Sequence, residues 1–425
     1  MEYNLEKKKK TFIFISVFLV ILNSMLAGIG IYGYRTSPPL FVAAIIFTAL
    51  TIKLYRKEKI VGNLPKCITV LFIIMGISYG LWGVVYFVPT YVLCGYAFLI
   101  QLPLFYMCAN RDDIKYLVIC YSKAYVILSA IVFFICLMIA PLTGGQYCGV
   151  FNNPNLLGHV LSSVAMCIFF LFETEIHLRY RIALLSLFGL LVAFTLFSRS
   201  RTTLLAIICV TAVYCVYLVI TKKGLLKRVA AFLFAIIIIV PLTSMFFQKV
   251  TPKICQLTGI EVDMSRYNLQ WELAAAYEKY LKGLNKDGSF TSGRVQIWRD
   301  FISKIELKGH EIDVLVVDYS GGSFSVNAHN TFIQVAYQSG ALAGIAFICI
   351  IVILGIFVLR NMCINKITVY DLFAVGCIAN VLPYLLLANV VFPYTSYSML
   401  PVWIIVMPYY FVKYRKGDKV CNLET

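Results

Sequence analysis

The chain has 425 residues, of which 61% are hydrophobic and only 13% are charged, with 37 Lys+Arg against 20 Asp+Glu. Soluble domains have about 25% charged residues, so this composition excludes a soluble globular protein. Apolar runs of about 18 to 25 residues recur along the chain, and each is long enough for a helix to cross a bilayer core of about 30 Å. The composition therefore predicts an all-α integral membrane protein.

Hydropathy predicts about twelve transmembrane helices, within a range of about ten to thirteen. The first follows the basic stretch EKKKK and is too long for a signal-peptide core, so we expect it to be retained. The 14 cysteines lie mostly in apolar runs and are expected to be small buried residues. The predicted spans are 11–33, 38–54, 67–88, 90–108, 117–140, 156–173, 182–198, 202–220, 229–247, 331–359, 370–392 and 397–414.

Lys and Arg concentrate in alternate connections between the spans, such as EKKKK, KLYRKEKIVGNLPK, TKKGLLKR and KYRKGDK. By the positive-inside rule, these connections and both termini are expected in the cytoplasm, with the protein in the cytoplasmic membrane. Anionic lipid of the inner leaflet and the topology account for the net charge of +17. No nucleic-acid partner is expected.

The predicted topology divides the chain into three parts. Helices 1 to 9 occupy 1–247, a large extracytoplasmic loop or cap occupies 248–330, and helices 10 to 12 with a cytoplasmic tail occupy 331–425. A connection of this length is expected to be a folded cap or a functional lid.

Three stretches of the loop suggest local structure. SGRVQIWRDFISKI predicts a short helix with Ser292 as N-cap, and RYNLQWELAAAYEKYL predicts a second helix. DYSGGSFS predicts a turn. The apolar face predicted for the first helix consists of Val295, Trp298, Phe301, Ile302 and Ile305.

Four short stretches that contain candidate binding or catalytic residues fall on the predicted outer face. In FNNPNLLGH, Asn155 is a candidate cap for the sixth span; in SRSR, Arg199 and Arg201 are either snorkelling side chains or an anion site. In SGRVQIW, Arg294 beside a helix start is either a solvated arginine or a phosphate ligand. In NAHN, His329 is either a hydrogen-bonded interfacial residue or a proton acceptor.

In this order, the stretches resemble the O-antigen ligase and polymerase family of bacterial membrane glycosyltransferases. The resemblance rests on NPN with a glycine three residues on, SRSRTTLLA, the long loop with GRVQIW, and HNTFIQVAYQSGALAG. It covers roughly the second half of the chain. The segment KGHEIDVLVVDYSGGSFSVNAHN matches the family's glycine-rich turn only in part.

The resemblance implies transfer of a glycan from a polyprenyl diphosphate lipid to an acceptor hydroxyl, on the outer face, with inversion and without a metal or other cofactor. It matches three functional residues of the family to Arg199, Arg294 and His329, whereas Arg201 has no counterpart. His310 is the alternative base, and His159 is expected to be a hydrogen-bonded intramembrane histidine.

The chemistry of the residues adds candidates for substrate binding. Arg201 can bind phosphate, and Asn330 and Asn155 can orient sugar or phosphate. Four aromatic side chains can stack on sugar rings, although packing of the loop onto the membrane is an alternative use for them. These are Tyr267, Trp271, Tyr277 and Trp298.

The expected function is polymerisation of lipid-linked repeat units of a surface polysaccharide. A ligase that moves the finished glycan to another acceptor is an alternative, and a lipid-linked oligosaccharide flippase is a further one. A metal-dependent transferase would have carboxylates in the first outer loop, and YRTSPP has none. The expected partners are a polyprenyl-diphosphate-linked glycan donor, a glycan or lipid-linked acceptor, membrane lipid and other polysaccharide-assembly membrane proteins.

Overall fold

The computed structural model describes residues 2–31, 37–55, 62–140, 146–259, 294–319, 322–388, 390 and 397–414. Within these ranges the chain is mostly helical, which confirms the predicted all-α membrane fold. The first helices are α1 (Glu2–Ile29), α2 (Ser37–Leu54), α3 (Lys66–Val85), α4 (Pro89–Tyr96), α5 (Leu102–Cys108), α6 (Arg111–Ile139), α7 (Pro154–Thr174) and α8 (Leu178–Ser198). They are followed by α9 (Arg201–Ile220), α10 (Leu225–Lys249), α11 (Thr251–Leu257), α12 (Arg294–Ile302), α13 (Thr331–Ser339), α14 (Ala341–Ile364), α15 (Val369–Leu387) and α16 (Met407–Phe411).

Ten helical stretches in the described ranges are long and apolar enough to cross a membrane. Two shorter apolar helices, Pro38–Leu54 and Val402–Phe411, occupy the positions of the predicted second and twelfth spans. The positions of the predicted spans thus agree with the helices, while the count of twelve crossings stays a prediction.

Within the described ranges, two helices contain a segment of wider, π-helical winding, at Ala97–Gln101 and Val402–Val406. The first joins α4 to α5, and the second leads into α16. In each case a proline, Pro103 or Pro408, follows two residues after the segment. Because proline has no N–H to donate along a helix, a local change of winding accompanies it.

The tenth predicted span, 331–359, is two helices rather than one. Helix α13 ends at Ser339, Gly340 adopts a left-handed φ of 93°, and α14 starts at Ala341. A Cβ at residue 340 would lie 2.2 Å from the Leu307 backbone oxygen, so only glycine fits at this break. Hydropathy did not show the break, because the polar Gln338 and Ser339 before it are averaged with the apolar residues of the neighbouring turns.

Ion pairs hold the end of the bundle at which the chain starts, which we call the termini end. Lys9 of α1 pairs with Asp113 of α6, and Glu173 of α7 pairs with Lys223 and Arg228 at 3.2 and 2.9 Å. Strand β1 (Gly62–Asn63) pairs there with β4 (Lys413–Tyr414), near the end of the chain. Both ends of the described chain therefore lie at the same end of the bundle.

The opposite end, which we call the loop end, contains the remaining short elements. Strands β2 (Leu315–Tyr319) and β3 (Gly322–Val326) pair antiparallel. Residues 320 and 321, at the centre of the turn predicted from DYSGGSFS, lie outside the described residues. Helix α12 confirms the first predicted loop helix. The second predicted loop helix, with Tyr267, Trp271 and Tyr277, lies outside the described residues, as does Ser292.

Helix α7 forms the centre of the bundle and contacts α6, α8, α9 and α15. Its residues from Leu157 to Phe172 are all buried, which agrees with a helix that is apolar on every side. Helices α9 and α15 also pack on each other. The beginnings of α7 and α9 and the end of α15 thus come together at the loop end.

Candidate active site

The turn between α8 and α9 contains the first two arginines. Arg199 has a left-handed φ of 50°, and its backbone N–H donates to the Leu196 oxygen at 3.3 Å. Its side chain is buried within the protein, with 9% exposure, whereas a snorkelling arginine lies along lipid. Arg201 begins α9 two residues later. The turn therefore places Arg199 inside the protein at the loop end of the bundle.

The start of α7 lies against this turn. Asn153, and not Asn155, caps the helix, since its Oδ1 accepts from the Asn155 N–H at 2.7 Å. The prediction of Asn155 as the cap is wrong because Pro154 takes the first helical position, which proline favours. The exposed Asn155 instead accepts a hydrogen bond at Oδ1 from the Ser200 hydroxyl at 3.0 Å.

Arg294 is the first residue of α12, and its Nη1 donates to the Leu387 backbone oxygen at 2.9 Å. The face that α12 buries differs from the predicted one. Ile297 and Phe301 are buried, whereas Val295 and Ile302 are exposed. The predicted face was wrong at these positions because the helix packs on α13, and an apolar pattern does not specify the partner.

His329 lies in the loop just before α13, with a left-handed φ of 46°. Its backbone N–H donates to Asn327 Oδ1 at 3.0 Å, an Asx-type bond that stabilises the turn. The Trp298 indole donates to the backbone oxygen of the preceding residue, Ala328, at 2.9 Å. Trp298 therefore connects α12 to the histidine loop.

Asn330 caps α13, since its Oδ1 accepts from the Ile333 N–H at 3.1 Å. Its Nδ2 donates to the Leu386 backbone oxygen at 3.3 Å. Both ends of this side chain are thus used within the protein. The predicted substrate-binding role of Asn330 stays a prediction.

The last turn of α15 connects these elements. The final four carbonyl oxygens of a helix have no partner within it and can bind other groups. In α15, Leu386, Leu387 and Ala388 accept from Asn330, Arg294 and the Thr331 hydroxyl, the last at 3.1 Å. One helix end therefore holds both α12 and the loop that contains His329.

Electrostatics shows that three of the predicted residues lie close together. Burial and the charge of Arg201 lower the pKa of Arg294. Burial and the charge of Arg294 lower the pKa of His329. A lowered pKa keeps the imidazole neutral at neutral pH, the form that accepts a proton. Positive charges that lie close together repel each other, and a bound polyanion such as a diphosphate relieves this repulsion.

Residues 185–348 match a family model described as O-antigen ligase. The chain contains an O-antigen ligase domain. The family expected from the motifs is thereby confirmed, and the domain indicates a membrane enzyme of the ligase or polymerase type that transfers glycans. The match covers under half of the chain and includes Arg199, Arg201, Arg294, His329 and Asn330. No curated protein and no solved structure matches the chain.

The other two histidines at the loop end of the bundle have structural partners. His159 stacks on Tyr384, with ring centroids 3.7 Å apart, and its Nδ1 lies 2.9 Å from the Ser398 hydroxyl. This confirms the expectation of a hydrogen-bonded histidine. His310 Nδ1 lies 2.8 Å from the Tyr337 backbone oxygen, to which only a protonated nitrogen can donate. That contact is at the far end of α13 from His329.

In the part of the chain that the structure describes, no three His, Cys, Asp or Glu side chains form a group able to hold a metal ion. The charged groups that the O-antigen ligase domain brings together there are the guanidinium groups. These can bind phosphate oxygens with fixed, bidentate geometry.

Sequence reasoning missed several residues that hold the site of the O-antigen ligase domain. Gln334 accepts from the Ala328 N–H at 2.8 Å and donates to the Asp313 oxygen at 2.6 Å, which fixes the loop before His329. The Thr331 hydroxyl donates a hydrogen bond to the Ala388 oxygen at the end of α15. The only sequence signal is their polarity within an apolar helix pattern, HNTFIQVAYQ.

Proposed function

We propose that this protein polymerises oligosaccharide repeat units that are linked through diphosphate to a polyprenyl lipid. The reaction takes place at the outer face of the cytoplasmic membrane and extends a surface polysaccharide. The concentration of Lys and Arg in the connections at the termini end supports a cytoplasmic position for that end. The loop end, with the arginines and His329, then faces outward.

The observation on which this proposal depends is the proximity of Arg201, Arg294 and His329. Arg294 lies close enough to His329 to lower the pKa of the imidazole, and Arg201 lies close enough to Arg294 to lower the pKa of that guanidinium group, at the end of a membrane bundle. A lipid diphosphate has its charge at the membrane surface, where guanidinium groups can bind it. The neutral imidazole beside them can receive a proton from a sugar hydroxyl.

The proposed reaction is a single displacement at the anomeric carbon of the donor sugar. The acceptor hydroxyl oxygen forms a bond to that carbon, and its proton passes to the His329 imidazole. The bond from the anomeric carbon to the phosphate oxygen breaks, and polyprenyl diphosphate leaves with the electron pair. Attack opposite to the leaving group inverts the configuration. His329 then releases its proton to water.

Arg199, Arg201 and Arg294 supply positive charge for the leaving diphosphate. Charge grows on the phosphate oxygen as the bond breaks, so fixed cations stabilise the transition state more than the bound substrate. This is the role that a divalent metal ion has in other transferases, and the proposal assigns it to guanidinium groups alone. Addition of a chelator should therefore leave the rate unchanged.

A ligase is the second candidate function, because the family model that matches the chain is described as O-antigen ligase. A ligase uses the same donor and the same displacement but transfers the glycan to a different acceptor. The arginines and His329 would have identical roles in both reactions.

The test uses purified protein in detergent with chelator and a polyprenyl-diphosphate-linked repeat unit, and separates the products by size. The proposal predicts a ladder of products from the donor alone. A single product that forms only when a foreign acceptor is added would establish a ligase. Movement of the donor across a vesicle membrane without joining would contradict transferase activity and favour a flippase.

A further inference from the structure

Ser200 is the N-cap residue of α9, yet its side chain makes no capping hydrogen bond. A serine in this position usually accepts from a backbone N–H of the first helical turn. Here its hydroxyl donates to Asn155 Oδ1 at 3.0 Å and accepts from the Thr203 hydroxyl at 2.8 Å. The hydroxyl is therefore used to join α9 to α7, beside the arginine turn.

The direction of these hydrogen bonds fixes the orientation of the Asn155 amide. A serine hydroxyl has one proton, and the Ser200 oxygen already accepts from Thr203, so its proton goes to Asn155. The amide oxygen must then be the atom that faces Ser200. The amide nitrogen, with two N–H donors, lies on the other side of an exposed side chain.

Gly158 allows this contact between the helices. A Cβ at residue 158 would lie 1.8 Å from the Thr203 Oγ1, so any other residue would push the start of α9 away from α7. Asn155 and Gly158 are three residues apart and share one face of α7. They meet Ser200 and Thr203, which are likewise three residues apart on α9.

Helix α15 connects this contact between α7 and α9 to Arg294. The Tyr384 hydroxyl lies close to the Thr203 side chain and 2.9 Å from the Ser162 hydroxyl. One turn further along α15, Leu387 accepts from Arg294. The position of Thr203 against α7 and α15 thus determines how the arginine turn lies relative to Arg294.

We propose that Gly158, Ser200 and Thr203 are positioning residues that orient the Asn155 amide to donate to a phosphate oxygen of the lipid diphosphate. The amide nitrogen joins the guanidinium groups of the arginine turn on the same anion. Phosphate oxygens only accept hydrogen bonds, so an amide held with its nitrogen outward suits them. This inference rests on the proposed function for the identity of the ligand.

The first test is Asn155→Asp. The new carboxylate still accepts from Ser200, but it has no N–H donor and adds a negative charge where the phosphate binds. We expect at least a tenfold higher KM for the donor and a further fall in kcat, with an unchanged melting temperature. Asn153→Asp is the matched control, because Asp caps a helix as well as Asn. Retention of wild-type kinetics by Asn155→Asp would overturn the inference.

The second test addresses positioning. Gly158→Ala should lower kcat at least tenfold, because the new methyl group meets the Thr203 Oγ1. Thr203→Val, which keeps the shape of the side chain and removes the hydroxyl that donates to Ser200, should also lower kcat. Donor kinetics should change while the acceptor KM does not. Gly355→Ala, where no atom lies within 4 Å of the added Cβ, is the matched control. Wild-type donor kinetics in Gly158→Ala or in Thr203→Val would contradict the positioning role.

A binding measurement separates this inference from the proposed function. The probe is polyprenyl diphosphate without a glycan, compared between wild type and Asn155→Asp. If wild type joins no sugars but binds the probe at least tenfold more tightly than Asn155→Asp, the proposed function fails and the phosphate contact stands. If wild type is active and both proteins bind the probe equally, the phosphate contact fails alone.

Discussion

His329 combines a left-handed backbone with a half-buried imidazole next to Arg294. Left-handed non-glycine residues are strained by about 1–3 kcal/mol and persist only where their surroundings determine them. Here the His329 N–H donates to Asn327 Oδ1 and the indole of Trp298 donates to the Ala328 oxygen, which together hold the loop that leads into the histidine. The conformation is therefore consistent with a side chain that is positioned for proton transfer.

The lowered pKa of His329 predicts the pH dependence of the reaction. A general base must be neutral, so the rate should rise with pH through the pKa of His329, with a midpoint below the ordinary value of about 6.5. Because the charge of Arg294 contributes to the shift, Arg294→Gln should move the acid limb of the remaining activity to higher pH. Arg299→Gln, an exposed position on the same helix, should not. A rate that stays constant as the pH is lowered, down to the pH at which the protein unfolds, would contradict His329 as the base.

Arg294 has both a structural and an electrostatic contribution, and two substitutions separate them. Arg294→Ala removes the bond to the Leu387 oxygen and the charge, and should lower kcat by a factor of about 100 to 1000. Arg294→Lys keeps a donor and the charge without the planar fork, so partial activity is expected. Kinetics in detergent measures both. If Lys and Ala are equally inactive at equal thermal stability, fork geometry rather than charge is required.

At the scale of single elements, hydropathy predicted where the helices lie but not how they end. The span predicted at 331–359 is interrupted at Gly340, where the backbone approaches Leu307 closely. Hydropathy averages the polar Gln338 and Ser339 with the apolar residues around them, so it did not show this break. The predicted cap of α7 was Asn155 instead of Asn153, because hydropathy does not show that the helix begins at Pro154. Helix ends depend on single side chains and backbone geometry, which a periodic pattern does not record.

The break at Gly340 gives a prediction for stability. Gly340→Ala introduces a Cβ 2.2 Å from the Leu307 oxygen at a φ of 93°, and should destabilise the protein by about 1–3 kcal/mol. Gly355→Ala, within α14 and in open space, should be neutral or slightly stabilising. Thermal unfolding in detergent compares the two variants. Equal melting temperatures of the two variants would show that the break between α13 and α14 does not require glycine at residue 340.

At the scale of the whole molecule, the motifs predicted which residues would meet, but not the framework that brings them together. Arg201 lies 93 residues before Arg294 and 128 residues before His329, and the family resemblance alone related these residues. The end of α15, which binds Asn330, Arg294 and Thr331, has no motif. This helix end binds through backbone carbonyl groups. Every residue has one, so no sequence pattern marks those that bind, and only the structure reveals them.

The topology of the whole molecule predicts which side of the membrane each end faces. Ser303→Cys, an exposed position just after α12, should react with a membrane-impermeant thiol reagent in intact cells. The exposed native Cys363, at the termini end of α14, should react only after the membrane is opened. Labelling of the cysteine at residue 303 only in opened cells would place the site in the cytoplasm and contradict the proposed function.

The measurement that tests the central claim most directly compares wild type with His329→Ala in the presence of chelator. Initial rates with a polyprenyl-diphosphate-linked repeat unit give kcat, and binding of the same donor is measured separately. We predict that kcat falls by a factor of about 100 to 10,000 while donor binding changes less than threefold. Wild-type activity that disappears with chelator and returns with a divalent metal, or a variant that loses only donor binding, would contradict a metal-independent transfer with His329 as the base.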